Sequence, residues 1–154
     1  FNPTVTVAML IAKKITTKDA IIFIILQILG AGLGVLIAHG MFELDIFQIS
    51  SKLRQGASQG FSEIIATFGL ILVIFGGLKV RADAIPALVG FYITSAYWFT
   101  ASTSFANPAV TLARSLSDTF AGINPSNIIM FISCQFIGML VALILVKYIF
   151  SEKE

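Results

Sequence analysis

The sequence predicts an all-α membrane protein, because it is strongly apolar, has long uncharged stretches and contains an internal repeat. Of its 154 residues, 57% are hydrophobic and 12% are charged, whereas a soluble domain usually carries about 25% charged residues. A helix needs about 20 apolar residues to cross a bilayer. Several membrane-spanning helices are therefore expected in the stretches that lack Asp, Glu, Lys and Arg, which are residues 20–42, 64–78, 84–113 and 119–146.

The remaining composition excludes several other classes of protein. A net charge of +2 is too small to indicate a nucleic-acid partner. The single cysteine, Cys134, cannot form an internal disulfide and is predicted to be a packing residue. We expect no cofactor and no metal, since no metal-ligand set is recognisable. The sequence shows no signal-peptide pattern, and because it starts at Phe1 rather than Met, we expect that the true beginning of the chain is missing.

The apolar stretches divide into four predicted membrane-spanning helices, at residues 19–39, 60–78, 85–100 and 126–150. Two further segments, residues 1–14 and 107–120, are too short to span and are predicted to be re-entrant half-helices. Irregular backbone at membrane depth is tolerated only where it is buried in protein or lines a cavity. Residues 1–154 are therefore expected to form one transmembrane domain.

The distribution of basic residues predicts the orientation of these helices. Positive residues mark the cytoplasmic side of a membrane protein, so the first segment and the C-terminus are both expected inside the cell. The predicted cytoplasmic residues are Lys13, Lys14, Lys18, Lys79, Arg81, Lys147 and Lys153, and the opposite side holds Lys52 and Arg54, with Arg114 in the second half-helix.

The two short segments are copies of each other. Residues 2–8 match residues 107–113 at five of seven positions. Each copy is followed by a span with a glutamine and small residues at spacings of three and four, which let membrane helices approach closely. Three spans separate the copies, so they have opposite orientations and form an inverted repeat of the kind found in transport proteins. The spans carry Gln27, Gly30 and Gly34 in the first copy and Gln135, Gly138 and Ala142 in the second.

Each copy begins with an Asn-Pro pair that favours the start of a helix. Asn is a good N-cap and Pro is favoured at the first helical position. Two half-helices entering from opposite faces would point both positive dipole ends at the membrane centre. Cations, including protons, would be repelled there, while the amides of Asn2 and Asn107 could donate hydrogen bonds to a neutral solute. Asn-Pro is also a common turn dipeptide, but two inverted copies favour a pore.

The boxes Asn2-Pro3-Thr4 and Asn107-Pro108-Ala109 resemble the paired Asn-Pro-Ala boxes of aquaporins and aquaglyceroporins, with Thr4 in place of the first alanine. This resemblance implies an aquaporin-like right-handed helical bundle with two re-entrant half-helices, in which the first two transmembrane helices of the family are missing. Such a fragment would not close a pore alone. The resemblance also implies a homotetramer in the lipid bilayer, with one pore per subunit. Glu63 is similar to a family glutamate that supports a half-helix by hydrogen bonding, although it could instead be a solvated charge at a helix end.

The predicted selectivity constriction departs from the usual family pattern. Most members have arginine three residues after the second Asn, where this sequence has Val110. By ungapped spacing, Ser95 would be the contribution of the fifth family helix and Ser104 that of the loop. Arg114, one turn beyond Val110, could either replace part of the missing charge or pair with Asp118.

The second box and the residues after it, 113–123, resemble a bacterial branch linked to arsenic resistance. We therefore predict a passive channel for water and small neutral solutes, either glycerol-like molecules or undissociated metalloid acids such as arsenite, in the bacterial inner membrane. Thr111, where glycerol facilitators usually have Asp, weakens a strict glycerol assignment. The alternatives are an inverted-repeat secondary transporter, an intramembrane enzyme and a structural membrane protein. We expect no enzyme activity, because the one histidine, His39, lies at a helix end without catalytic partners in the sequence.

Overall fold

The computed structural model describes residues 1–150, which form α-helices, short turns and loops with no β-strand in that range. Lys153, one of the residues used to predict orientation, lies outside it. Two short 3₁₀ turns, Ala82–Ala84 and Pro125–Asn127, precede the fourth and sixth helices. The helices are α1 (Pro3–Ile11), α2 (Thr17–Met41), α3 (Ala57–Val80), α4 (Ile85–Phe99), α5 (Pro108–Arg114) and α6 (Ile128–Ile149).

The first half-helix, α1, is shorter than the predicted segment 1–14 because its C-terminal end turns sharply. Lys13 adopts a left-handed backbone conformation, with φ of 55°. Its N–H donates to the carbonyl of Leu10, and the N–H of Lys14 donates to the carbonyl of Met9. This pair of bonds is the Schellman arrangement that terminates many helices, here with a lysine at the position usually held by glycine.

The second half-helix, α5, ends at Arg114 and not at residue 120 as predicted. The hydroxyl of Ser115 donates to the carbonyl of Leu112, which competes with the next helical bond. The backbone N–H groups of Leu116 and Ser117 then donate to carbonyls only three residues earlier in the chain, and not four as in an α-helix. The serine-rich sequence after Arg114 therefore turns the chain away from the helix axis.

Three helical segments are long and apolar enough to cross a membrane among the described residues: Thr17–Met41, Ala57–Val80 and Pro125–Ile149. The third predicted span, residues 85–100, forms the helix α4, but this helix has only 15 residues. At 1.5 Å per residue it is roughly 22 Å long, shorter than the hydrocarbon core of about 30 Å. It ends at Phe99, because the backbone of the next residue, Thr100, is extended. The helix α4 therefore includes only part of the uncharged stretch 84–113.

The core of the described chain lies where α3 packs between α6 and α4. Ile71, Met139 and Ala142 are almost completely buried there. Gly138 permits the close approach of α6, since a Cβ atom added to it would lie 2.3 Å from the carbonyl oxygen of Ile64. The corresponding glycine of the first copy, Gly30, has no such neighbour within 4 Å. Among the described residues, only the glycine of the second copy therefore has such a close neighbour.

We expect the substitution Gly138→Ala to destabilise the protein, because the added methyl group would meet backbone that cannot move without separating α3 from α6. Forcing an extra methyl into a packed interface usually costs about 1–3 kcal/mol. Thermal unfolding of the purified protein in detergent would measure this loss. Gly76→Ala is the matched control, because its added Cβ would meet only a side-chain atom of Phe150 at 4.0 Å. Equal melting temperatures for the two variants would contradict the inferred contact.

Candidate functional site

The two Asn-Pro segments meet through a reciprocal pair of hydrogen bonds. The amide of Asn2 donates to the carbonyl of Ala106 over 2.7 Å, and the amide of Asn107 donates to the carbonyl of Phe1 over 3.0 Å. Each side chain thus contacts the residue that immediately precedes the other asparagine. The same side chains also cap their helices, since the oxygen of Asn2 accepts from the N–H of Thr4 and that of Asn107 accepts from the N–H groups of Ala109 and Val110. The N-termini of α1 and α5 therefore lie together.

A second pair of matching hydrogen bonds supports each half-helix from its neighbouring long helix. In the first copy, the hydroxyl of Thr6 donates to the carbonyl of Asn2 and accepts from the amide of Gln27 over 2.9 Å. In the second copy, the amide of Gln135 donates to the hydroxyl of Thr111 over 3.0 Å. The glutamines of the repeat therefore hold the half-helices, a role that their spacing alone did not reveal.

The carboxylate of Glu63 fixes the loop that leads into α5. Glu63 is fully buried, and one of its oxygens accepts from the hydroxyl of Ser102 and the amide N–H of Phe105. The other oxygen accepts from the N–H of Ala106 and the side-chain amide of Gln135. The alternative of a solvated charge at a helix end is wrong, since the group has no exposure and four donors. Buried carboxylates usually have such partners.

Arg54 connects three loops around the end of α5. This role was not predicted from the sequence, where Arg54 was used only to infer which side of the membrane each loop faces. It is 6% exposed, and its guanidinium donates to the carbonyls of Gly122, Ser102 and Phe120 over 2.7 to 3.1 Å. Burial lowers the pKa of Arg54, and the positive charge of Arg114 lowers it further. The fork of donors on an arginine suits this arrangement, since one group reaches several carbonyls at fixed angles.

We expect the substitution Arg54→Lys to destabilise the loops, because an ammonium group cannot reproduce three bonds made by a planar fork. Carbonyls left without donors in a buried site cost about 1–3 kcal/mol in total, which would lower the melting temperature by several degrees. Arg81→Lys is the control, since Arg81 is exposed and contacts only the exposed Asp83; this variant should melt like the unmodified protein. A similar melting temperature for both variants would show that Arg54 does not join the loops.

A cavity of about 530 Å³ extends along both half-helices and is closed on one side by α3 and α4. Asn2 and Asn107 both lie in its wall, next to the reciprocal amide contact. Val89, Ile93 and Tyr97 of α4 line it, and because they lie four residues apart they share one helix face. The lining includes Asn2, Val5, Met9, Leu70, Ile74, Val89, Ile93, Tyr97, Ser104, Phe105, Asn107, Val110 and Arg114.

The cavity contains two of the three residues predicted for the constriction. Ser104 and Val110 line it, but Ser95 does not. Ser95 is exposed on another face of α4, where its hydroxyl donates to the carbonyl of Phe91. The face of α4 that lines the cavity carries Val89, Ile93 and Tyr97, and Tyr97 lies two residues after Ser95. The ungapped count back from Asn107 therefore selected a residue whose side chain lies on a face of α4 that does not line this cavity.

Arg114 lies at the end of the cavity and does not pair with Asp118. Its guanidinium lies 4.4 Å from the centre of the Phe105 ring, a cation–π distance, and its Nη1 is buried without a hydrogen-bond partner. Asp118 accepts instead from the N–H and hydroxyl of Ser51, which lower the pKa of its carboxyl. The hydroxyl of Ser104 is also buried without a partner. The pairing of Arg114 with Asp118 is therefore wrong, and the replacement of the missing family arginine by Arg114 stays a prediction.

Thr4, the residue that departs from the Asn-Pro-Ala pattern, is fully buried, and its hydroxyl has no hydrogen-bond partner. Ala109, at the equivalent position of the second box, is almost fully buried as well. Pro3 and Pro108 occupy the first turns of their helices. The third position of each box therefore faces protein and not the central cavity.

These features define an α-helical membrane protein in which two capped half-helices of an inverted repeat meet at their N-termini. The chain belongs to the major intrinsic protein family, because the sequence model of that family matches residues 1–100. It is 44% identical over 149 residues to the aquaglyceroporin AqpS of Rhizobium meliloti. It is 27% identical over 139 residues to aquaporin PIP1-6 of Zea mays and 32% identical over 90 residues to aquaporin PIP2-5 of Oryza sativa.

The chain is shorter than these relatives. The match to the rhizobial protein covers 97% of this chain and 64% of that protein. The match to the maize protein covers 80% of this chain and 46% of the relative, and the match to the rice protein covers 54% and 31%. The family and the membrane character of the helices follow from these matches and from the apolar spans.

Proposed function

We propose that the protein is a passive membrane channel for water and small neutral solutes, with its path along the cavity between the half-helices. The reciprocal contact of Asn2 and Asn107 is the observation that carries this proposal. Each side-chain amide has two N–H groups, of which one is used in the contact with the opposite segment. The second N–H of each amide is left to donate to the oxygen of a passing solute.

The half-helices supply the electrostatic barrier of this channel. Each helix N-terminus carries roughly half a positive charge, and the two N-termini lie together beside the cavity. A cation at this point would lose its hydration shell and meet two positive dipole ends, whereas a neutral molecule meets hydrogen-bond donors. The channel should therefore exclude protons and other cations and pass uncharged molecules.

The lining of the cavity favours solutes larger than water. Val110 offers no hydrogen bonds and no charge at the position where arginine is usual in the family, while Ser104 and Arg114 supply polar groups beside it. An apolar wall with a few polar groups suits molecules with a carbon or metalloid centre and several hydroxyls. We infer that the solutes are glycerol-like molecules or undissociated metalloid acids such as arsenite, a class supported by the resemblance of residues 113–123 and by the likeness to an aquaglyceroporin.

The native assembly is proposed to be a homotetramer in the bacterial inner membrane, each subunit with its own pore. In this arrangement α1 enters from the cytoplasmic side, α5 enters from the opposite side, and the C-terminus is cytoplasmic. Lysines near the start of α2 and the end of α6 support this orientation. Residues 1–14 and 107–120 would then be the re-entrant segments of one channel domain.

Flux through proteoliposomes tests the channel against the alternative of an inverted-repeat transporter. The full-length protein that contains this sequence should accelerate osmotic water movement and glycerol or arsenite entry, without any dependence on a proton or sodium gradient. Empty liposomes provide the baseline. Solute accumulation driven by either gradient would support the transporter, and rates equal to those of empty liposomes would refute the channel.

A further inference from the structure

Two glycines of α3, Gly69 and Gly77, form notches that receive side chains of α4. A Cβ atom added to Gly69 would overlap the hydroxyl oxygen of Tyr92, and one added to Gly77 would lie 2.6 Å from Cγ1 of Ile85. The two notches are roughly 12 Å apart along α3, and the two side chains that fill them are roughly 10.5 Å apart along α4, at 1.5 Å per residue. Because these lengths are similar and the helices run antiparallel, both side chains fit their notches at once.

The hydroxyl of Tyr92 adds a directional bond to this contact. It donates to the carbonyl oxygen of Ala66 over 2.9 Å, and the carbonyl oxygen of Ile65 lies 3.3 Å away. A carbonyl oxygen has two lone pairs, so this oxygen can accept from the phenol and from its own helix. A ring packed in a notch can still rock, whereas a hydrogen bond weakens steeply as its angle changes. The bond therefore fixes the rotation of α4 about its own axis.

The rotation of α4 decides which of its side chains face the central cavity, the space of about 530 Å³ along the half-helices. Val89, Ile93 and Tyr97 line that cavity, and Tyr92 lies roughly 100° around the helix from Ile93, at the edge of the lining face. The helix has only 15 residues. Among the described elements it packs mainly against α3, so the contact of Tyr92 is a large part of what holds it in place.

We propose that Tyr92 is a positioning residue for solute selectivity, which holds α4 against α3 and keeps the central cavity wide enough for a glycerol-sized solute. Without the hydroxyl, the open space into which α4 can move is the cavity itself, so Val89 and Ile93 approach the half-helices. A solute that fills the passage contacts this wall, whereas water needs less room. The proposal rests on the proposed channel function, because it assigns Tyr92 a role in the same path.

Thermal unfolding of the full-length protein in detergent tests the contact without any transport measurement. Gly69→Ala should lower the melting temperature by several degrees, because the added methyl group meets the Tyr92 ring. In a Tyr92→Leu background the same change should have a much smaller effect, since leucine lacks the end of the ring. Gly90→Ala is the matched control, because a Cβ atom added there has no neighbour within 4 Å. Equal losses in both backgrounds would overturn the inferred contact.

The ratio of glycerol to water permeability in proteoliposomes tests the positioning role. Tyr92→Phe removes only the hydroxyl and should lower this ratio about threefold at equal amounts of folded protein, an effect within the range of one hydrogen bond. Tyr92→4-aminophenylalanine keeps an N–H donor at the same end of the ring and should restore the ratio. Thr94→Val is the control, since the hydroxyl of Thr94 donates within its own helix, to the carbonyl of Gly90, and its loss should leave the ratio unchanged.

The outcomes separate the positioning role from the channel itself. If the unmodified protein conducts and Tyr92→Phe keeps its ratio, or lowers both permeabilities equally, the positioning role is refuted and the channel stands. If the aminophenylalanine variant resembles Tyr92→Phe, the hydrogen bond is not the cause of the change and the proposal fails. Rates equal to those of empty liposomes for the unmodified protein would refute the channel and the positioning role together.

Discussion

Replacing Glu63 with Gln should lower the stability of the protein by about 3–5 kcal/mol, the largest loss expected of any single substitution considered. The amide nitrogen that replaces one carboxylate oxygen cannot accept, so two of the four donors that converge on Glu63 would face another donor. Each buried donor without a partner costs about 1–3 kcal/mol, and the loss of charge weakens the remaining bonds. Thermal unfolding in detergent should show a drop in melting temperature of about 10 °C.

The same substitution should also reduce water permeability, because the loop held by Glu63 carries Ser104 and leads directly into Asn107. Glu43→Gln is the control: Glu43 is an exposed carboxylate beyond the end of α2, and its variant should match the unmodified protein in both measurements. If Glu63→Gln kept its melting temperature and its permeability, the carboxylate would have no supporting role at the half-helix.

Replacing Val110 with Arg should reduce the permeability to glycerol or arsenite about tenfold and the permeability to water much less. A tenfold reduction corresponds to roughly 1.4 kcal/mol of added barrier. Val110 lines the central cavity beside Asn107, so the new guanidinium would narrow the passage. Water is small and can exchange its lost hydrogen bonds for those of the guanidinium, whereas larger solutes are excluded sterically. The measured quantity is the ratio of the two permeabilities in proteoliposomes.

Arg114 requires a control in that experiment, since two guanidiniums one turn apart repel each other and could impair folding. The amount of folded protein in the membrane is therefore measured for each variant. Val110→Leu adds bulk without charge or donors and separates the steric part of the effect from the electrostatic part. An equal fall of both permeabilities at normal protein level, or no change in either, would show that Val110 does not line the selective part of the path.

The sequence alone predicted much of the fold because its strongest signals are local. Long uncharged stretches identify apolar helices whatever their neighbours, and the Asn-Pro pairs fix helix starts through capping by Asn2 and Asn107. The inverted repeat then predicted that the two starts would meet. Helix ends were less predictable. α5 stops at Arg114 because a serine hydroxyl competes for a carbonyl, and α1 stops at Ile11 because Lys13, just beyond it, adopts a conformation that favours glycine.

The side chains that depend on three-dimensional packing were harder to predict. Counting back from Asn107 selected Ser95, but the rotation of α4 presents Tyr97 to the cavity, and a shift of two residues moves a side chain to another helix face. Arg54 gave no local signal of its three carbonyl partners, which lie far away in the sequence. Whether Arg114 pairs with Asp118 depended on the other partners of that carboxylate. Ser51, a residue of another loop, donates two hydrogen bonds to it.

The central claim is that solutes pass along the cavity lined by Val110, and chemical modification of single cysteines tests it most directly. In a Cys134→Ala background, which removes the native thiol of the described chain, Val110→Cys and Ser95→Cys are compared in proteoliposomes of the full-length protein. A bulky methanethiosulfonate reagent should abolish water and glycerol flux through the Val110→Cys variant and leave the Ser95→Cys variant unaffected. Unchanged flux through fully modified Val110→Cys, with the modification confirmed by mass spectrometry, would contradict the proposed path.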